Sequence, residues 1–85
     1  MSARRLTWRE SVAAAVTRLI QRSGRRTFSR DELIHHELPR MVEETHSDGQ
    51  TPWQTVSRIL QELRDDGQLE FLRPGKYRAL GEKVR

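Results

Sequence analysis

One face of a predicted helix over residues 51–65 carries side chains that can bind the bases of DNA. The other face is apolar at helical spacing, so the polar side chains point away from the core. Glutamine can bind the edge of adenine with two hydrogen bonds, arginine can do the same with guanine, and threonine can contact a thymine methyl group or a phosphate. The candidate base-contacting residues are Thr51, Trp53, Gln54, Thr55, Arg58 and Gln61.

An ordinary solvated face is the alternative for these side chains. Base contact is the favoured interpretation for Gln54 and Arg58, whereas the two alternatives weigh equally for Gln61. Trp53 lies at the edge of the apolar stripe, about 60° from its centre on the side of Leu60. It can close the core or lie at the edge of the polar face, and packing against the core is the prediction.

A second group of candidates suits the DNA backbone. Arginine binds phosphate with two parallel hydrogen bonds, and such contacts position a protein without reading sequence. Three arginines crowd the start of the second predicted helix, two cations flank the predicted turn Pro74-Gly75, and a serine lies beside the polar helix face. For the turn, the alternative is a charged loop that only aids solubility. The candidate backbone and wing contacts are Arg25, Arg26, Arg30, Ser57, Arg73 and Lys76.

Local signals predict the elements that must position these residues. Three N-terminal capping patterns precede apolar periodic segments, at Thr7–Glu10, Ser29–Glu32 and Thr51–Gln54. Gly24 and Gly67 are predicted to end the first and third helices. Within the second helix, Pro39 predicts a kink, or a break followed by a further turn.

The last predicted element is a β-hairpin around Pro74-Gly75, in which four apolar residues alternate with polar ones. These residues are Leu69, Phe71, Tyr77 and Ala79. The predicted order is helix, short strand at Thr27-Phe28, helix, helix and hairpin. This order predicts a mainly α fold with a small β component, a winged helix-turn-helix over residues 7–80. Residues 1–6 are expected to be a flexible basic N-terminus, and 81–85 a flexible C-terminus.

Composition agrees with a polyanion as the partner. The 85 residues carry a net charge of +4, and 14 of the 16 basic residues are arginine. Residues 1–30 hold eight arginines and one acid, whereas residues 31–50 hold six acids and one arginine. The chain is therefore two-sided, with a basic surface and an acidic segment. The absence of cysteine and of a long apolar run predicts a cytoplasmic location and no membrane contact. With DNA as the partner, the expected location within a bacterial cytoplasm is the nucleoid.

The sequence offers no catalytic constellation. It has no glycine-rich phosphate loop and no nucleophile elbow, and His35 and His36 would diverge by about 100° on a helix. A solvated acidic loop is favoured over a cation site for the acidic residues near His46. The chain is therefore expected not to be an enzyme, and to need no metal or cofactor.

Residues 27–80 resemble the C-terminal winged-helix domain of Dam-replacing restriction endonucleases, a domain also found beside HNH nuclease modules. The resemblance is carried by the segment Leu60–Gly67, the strand Leu69-Glu70-Phe71 and the Gly75-Lys76-Tyr77 pattern, with Phe28–Leu33 upstream. In that family the domain helps a methyl-directed nuclease bind GATC sites that carry N6-methyladenine. The resemblance implies that Thr51, Trp53, Gln54, Thr55 and Arg58 contact the bases, and that a fused or associated nuclease domain is a partner.

The expected function is thus sequence-specific binding of double-stranded DNA by a monomer, with adenine-methylated DNA as the specialised target. Two alternatives stay open. One is a transcriptional regulator of an unmethylated operator, against which the lack of an evident dimerisation helix counts. The other is a protein-interaction winged helix, in which the basic face binds an acidic partner or the acidic segment 31–48 binds a basic one.

Overall fold

The computed structural model describes residues 6–45 and 52–84, which form three helices and a three-stranded antiparallel sheet. The elements are α1 (Trp8–Ser23), β1 (Thr27–Ser29), α2 (Arg30–Thr45), α3 (Pro52–Asp65), β2 (Leu69–Arg73) and β3 (Lys76–Ala79). The predicted α+β class and order of elements are confirmed. The basic residues 1–5, the predicted loop 46–50 and the cap at Thr51 lie outside the described residues. Over residues 6–45 and 52–84, no helix has the length and apolar character needed to cross a membrane.

Reciprocal caps begin α1 and α2, as predicted. The Thr7 hydroxyl accepts a hydrogen bond from the Glu10 amide (3.1 Å), and the Glu10 carboxylate accepts one from the Thr7 amide (2.9 Å). Ser29 and Glu32 repeat the exchange at 3.0 and 3.1 Å. Each box satisfies two amides that a helix start leaves without an intrahelical partner, so the sequence fixes where both helices begin.

The helix ends at Gly24 and Gly67 are also confirmed. Gly24 caps α1 with a φ of 73°, and Gly67 follows α3 with a φ of 80°. After α3, the Gly67 amide donates to the Arg64 carbonyl (3.0 Å), and the Gln68 amide donates to the Leu63 carbonyl (2.9 Å). This is the Schellman pattern, which requires the left-handed conformation that glycine adopts without strain. The chain therefore turns sharply from α3 into β2.

Of the two outcomes expected at Pro39, the break does not occur. α2 continues through Pro39 to Thr45. Met41 beyond the proline has no exposed surface, and the Thr45 hydroxyl donates to the Met41 carbonyl at 2.8 Å. Because the last turn of α2 is buried in this way, tertiary packing outweighs the backbone hydrogen bond that proline removes.

The sheet has the order β1-β3-β2, so β2 is an edge strand. Pro74-Gly75 joins β2 to β3, and proline followed by a glycine at φ 77° is the pattern of a type II turn. The ladder is irregular between Phe71 and Arg73, which leaves Leu72 as a bulge. Leu69, Tyr77 and Ala79 are buried, whereas Phe71 is 44% exposed and contacts the Tyr77 ring edge-on.

The core lies between the three helices and the inner face of the sheet. Tyr77 stacks on Phe28 across β1 and β3, with 5.9 Å between ring centroids. Trp8 is half-buried and packs against the core. The chain end returns to α1, where Val84 is buried and its amide donates to the Thr17 hydroxyl at 3.0 Å. Residues near 84 are therefore packed onto the fold, although the sequence predicted a flexible tail from residue 81.

Candidate nucleic-acid interface

The two faces of α3 divide as the periodicity predicts. The inward stripe is buried, with Val56, Leu60 and Leu63 fully inaccessible to solvent. Gln54, Arg58 and Gln61 are exposed on the opposite side, and Thr55 and Ser57 are half-buried at the flanks. α3 therefore presents a polar surface that no other described element covers, and Thr51 lies outside the described residues.

Trp53 does not pack into the core, so that prediction is wrong. Its side chain is 48% exposed in the first turn of α3. The inward positions near it, at Val56 and Leu60, are already fully buried, which leaves an indole at the edge of the stripe on the surface. Trp53 consequently adjoins Gln54 on the exposed side of the helix start, where it was also a candidate for base contact.

Arg30 joins three elements at one side of this surface. Its guanidinium donates to the Ser57 hydroxyl at 3.2 Å, which ties the start of α2 to the middle of α3. The same hydroxyl donates to the Trp53 carbonyl at 3.0 Å. The Arg30 amide donates to the Gly75 carbonyl at 2.9 Å, so the hairpin turn is held against α2. The start of α2, the flank of α3 and the turn therefore form one continuous surface.

Two cations at the turn and one before β1 lack acidic partners within the part of the chain that the structure describes. In the register of the sheet, Arg73 lies opposite Lys76 across the turn, and Lys76 lies opposite Ser29 of β1. Among residues 6–45 and 52–84, no carboxylate lies within ion-pair distance of Arg26, Arg73 or Lys76. Their charges are therefore available to an anionic ligand.

Arg26 lies at the end of β1 remote from the turn. The Arg26 carbonyl accepts a hydrogen bond from the Ala79 amide (2.8 Å), so it adjoins the end of β3 remote from Gly75. Ser29, at the other end of β1, lies about 10 Å from Arg26 along the strand. Arg25 approaches Glu32 of α2 at 3.8 Å. The backbones of the three arginines thus follow β1 as a row, and the Arg25 side chain reaches the first turn of α2, where Arg30 lies.

The other flank of α3 carries an ion-pair group that the sequence analysis missed. Arg58 donates to Glu62 at 2.9 Å, and Arg9 of α1 lies 3.9 Å from the same carboxylate. Arg9 also pairs with Asp66, just beyond α3. Two cations and two anions make this group neutral. The Arg58–Glu62 pair was visible as a four-residue spacing on a helix, whereas the contact with Arg9 joins segments far apart in the chain.

No metal-binding arrangement accompanies the interface. Over the described residues, histidines and acids do not form any group of three or more that could hold an ion. Comparisons of the chain with family models, curated proteins and solved structures gave no match.

Proposed function

We propose that this chain is a winged-helix domain that binds double-stranded DNA in a sequence-specific way. The observation that carries the proposal is the exposed polar face of α3 together with Arg73 and Lys76 at the turn, which have no acidic partner among the described residues. The order α1-β1-α2-α3-β2-β3 and the sheet order β1-β3-β2 support the winged-helix assignment. In this class the third helix enters the major groove, and the hairpin contacts the flanking backbone.

Gln54 and Arg58 are the proposed base-contacting pair. They are four positions apart in the chain, so they lie on one side of α3 about 6 Å apart along its axis. Base pairs are stacked about 3.4 Å apart, so the two side chains fit bases roughly two steps from each other. Gln54 suits adenine and Arg58 suits guanine, since each can make two hydrogen bonds to the major-groove edge of its base.

The turn and the start of α2 supply the proposed phosphate contacts. Arg73 and Lys76 flank a turn whose carbonyl at Gly75 is held by the Arg30 amide. Because the turn is tied to α2, its cations keep a fixed position relative to α3. Phosphate contacts of this kind set the register of the recognition helix on the duplex. Arg25 and Arg26 would extend the contact along the backbone.

The proposed specialised target is DNA methylated at N6 of adenine, within GATC-like sites. This step rests on the resemblance to methyl-directed restriction endonucleases and on the exposure of Trp53 beside Gln54. The glutamine amide suits the adenine edge, and the indole surface suits an added methyl group by apolar contact. Such a domain would act as the targeting module of a fused or associated nuclease.

Fluorescence anisotropy tests the proposal with four labelled duplexes of equal length. Three contain GATC in unmethylated, hemimethylated and fully methylated form, and the fourth has a scrambled site. We expect binding that weakens steeply from 50 to 200 mM salt. A preference of about tenfold for methylated DNA, or about 1.4 kcal/mol, would support the specialised target. Equal binding to all four would refute that target and leave general DNA binding, while no salt-sensitive binding would refute DNA binding.

A further inference from the structure

α3 carries no net charge, which is unusual for a helix proposed to lie against DNA. Its two arginines, Arg58 and Arg64, are balanced by Glu62 and Asp65. Cations without an acidic partner among the described residues lie instead at the turn, at Arg73 and Lys76, and before β1, at Arg26. Attraction to phosphate therefore has to come from the surroundings of α3, and Arg58 adds little to it while Glu62 is its partner.

The geometry of the Arg58–Glu62 pair leaves part of the guanidinium available. Only Nη1 of Arg58 donates to Glu62 (2.9 Å), so Nε and Nη2 keep their hydrogen-bonding capacity. Two donors on one side of a guanidinium are what the O6 and N7 atoms of guanine require. Arg58 can therefore bind a guanine edge without leaving Glu62.

A phosphate meets a different situation. Glu62 is 41% exposed, so its negative charge would face any phosphate that approaches Arg58. A guanine edge is an uncharged acceptor and is repelled much less. Glu62 is itself held in place by Arg9 of α1 at 3.9 Å, so it cannot swing away without losing a second partner. The pair thus discriminates between a base edge and the DNA backbone by charge.

We propose that Glu62 is a specificity-determining residue, which prevents Arg58 from binding phosphate and reserves it for a guanine edge. The inference rests on the proposed DNA binding and deepens it. Glu62 would disfavour contact between Arg58 and a phosphate, while Arg58 itself would provide the attraction to a guanine edge.

Substitution Glu62→Gln tests the proposal, because it removes the charge and keeps the shape. The pair is exposed, and its arginine precedes its glutamate along α3, which is the less stabilising order for an ion pair at a four-residue spacing. Little stability should therefore be lost. We expect affinity for the scrambled duplex to rise about fivefold, which is the effect of freeing one unit charge to interact with a phosphate at close range in water. Affinity for the best-bound duplex should change less than about twofold, so the ratio of the two affinities should fall.

Glu70→Gln provides the matched control. Glu70 pairs with Arg78 at 3.0 Å on the outer face of the sheet, and its side chain is 47% exposed. The control makes the same change in net charge and releases one arginine, but away from α3. We expect it to leave the ratio of affinities unaltered. An equal fall in the ratio for both variants would mean that net charge alone is responsible, and would overturn the role of Glu62.

A double-mutant cycle with Arg58→Ala completes the test. If Glu62 acts by restraining Arg58, then Glu62→Gln should not raise scrambled-duplex affinity when Arg58 is absent. A fivefold rise that persists without Arg58 would show direct repulsion between Glu62 and DNA, and would overturn the proposal. If the wild-type chain discriminates between duplexes and Glu62→Gln has the same ratio of affinities as wild type, the role of Glu62 alone is overturned. Failure of the wild-type chain to bind any duplex would overturn DNA binding as well.

Discussion

At the level of single residues, Arg58 and Arg25 are both exposed arginines, yet the proposed interface gives them different tasks. Arg58 lies on the outer face of α3, whereas Arg25 lies beyond α1 in the row along β1. Arg58→Ala should cost about 1–3 kcal/mol on the best-bound duplex and relax the preference at one base pair. Arg25→Ala should weaken all duplexes alike. Titration of a duplex set with single-base changes distinguishes these outcomes, and equal losses for Arg58→Ala on every duplex would contradict base contact.

Trp53 should matter for binding and little for folding. Its indole is exposed, so Trp53→Ala should change the free energy of unfolding by less than about 0.5 kcal/mol. Under the proposed methyl recognition, the same variant should lose its preference for methylated over unmethylated GATC. Trp8→Ala is the contrasting control, because Trp8 packs against the core and its loss should cost about 2 kcal/mol. Denaturant unfolding and duplex titration measure the two effects, and a methylation preference that survives Trp53→Ala would contradict its role.

The contrast between these residues shows what a sequence can predict about a site. The outer position of Gln54 and Arg58 followed from the position of the apolar stripe, because a helix separates opposite faces strongly. Trp53 lies at the boundary of the stripe, where periodicity does not decide between core and surface. Arg9 reaches Glu62 only because α1 and α3 pack together, and no local pattern contains that information.

At the level of elements, the turn between β2 and β3 depends on the left-handed backbone conformation of Gly75. Gly75 has a φ of 77°, and a Cβ added there would meet no atom within 4 Å. Gly75→Ala should therefore cost about 1–2 kcal/mol of stability through backbone strain alone. It should also weaken binding to all duplexes without changing their order, since the turn carries Arg73 and Lys76.

Gly67→Ala is a closely matched control for that variant. Gly67 has a φ of 80° and equally open surroundings, but it lies at the end of α3 away from the turn. It should destabilise the fold by a similar amount and leave duplex affinity unchanged at temperatures where both variants stay folded. Thermal unfolding followed by anisotropy measures both quantities. Equal losses of affinity in the two variants would place the turn outside the interface.

Elements with a complete local signal were predicted best. The capping boxes at Thr7 and Ser29, and the glycines after α1 and α3, fixed helix ends because each signal lies within a few residues. The pairing of β1 with β3 was not predicted, since three-residue β1 meets a partner about fifty residues away in the chain. The continuation of α2 through Pro39 likewise depends on burial of Met41, which is a tertiary effect.

At the level of the whole molecule, charge is distributed unevenly around α3, which carries no net charge. Among the described residues, Arg73 and Lys76 at the turn and Arg26 before β1 lack acidic partners, whereas Arg58 and Arg9 are balanced by Glu62 and Asp66. This arrangement separates two tasks within the proposed interface. In the proposed complex with DNA, attraction to the backbone would come from the surroundings of α3, and choice of sequence would come from α3 itself.

This separation predicts how salt should affect binding. Each phosphate contact contributes about 0.9 to the slope of log affinity against log salt, so the five candidate backbone cations predict a slope of about −4 to −5. Those cations are Arg25, Arg26, Arg30, Arg73 and Lys76. Removing one of them should reduce the slope by about one, with equal weakening on preferred and scrambled DNA.

Lys76→Ala and Lys83→Ala test this prediction as a matched pair. Both remove one lysine charge, but Lys76 flanks the turn and Lys83 is exposed near the chain end packed on α1. Lys76→Ala should lower the slope by about one, and Lys83→Ala should leave it unchanged. Anisotropy titrations at four or more salt concentrations measure both slopes. Equal reductions would show that binding responds only to total charge, since a defined contact surface requires the two lysines to differ.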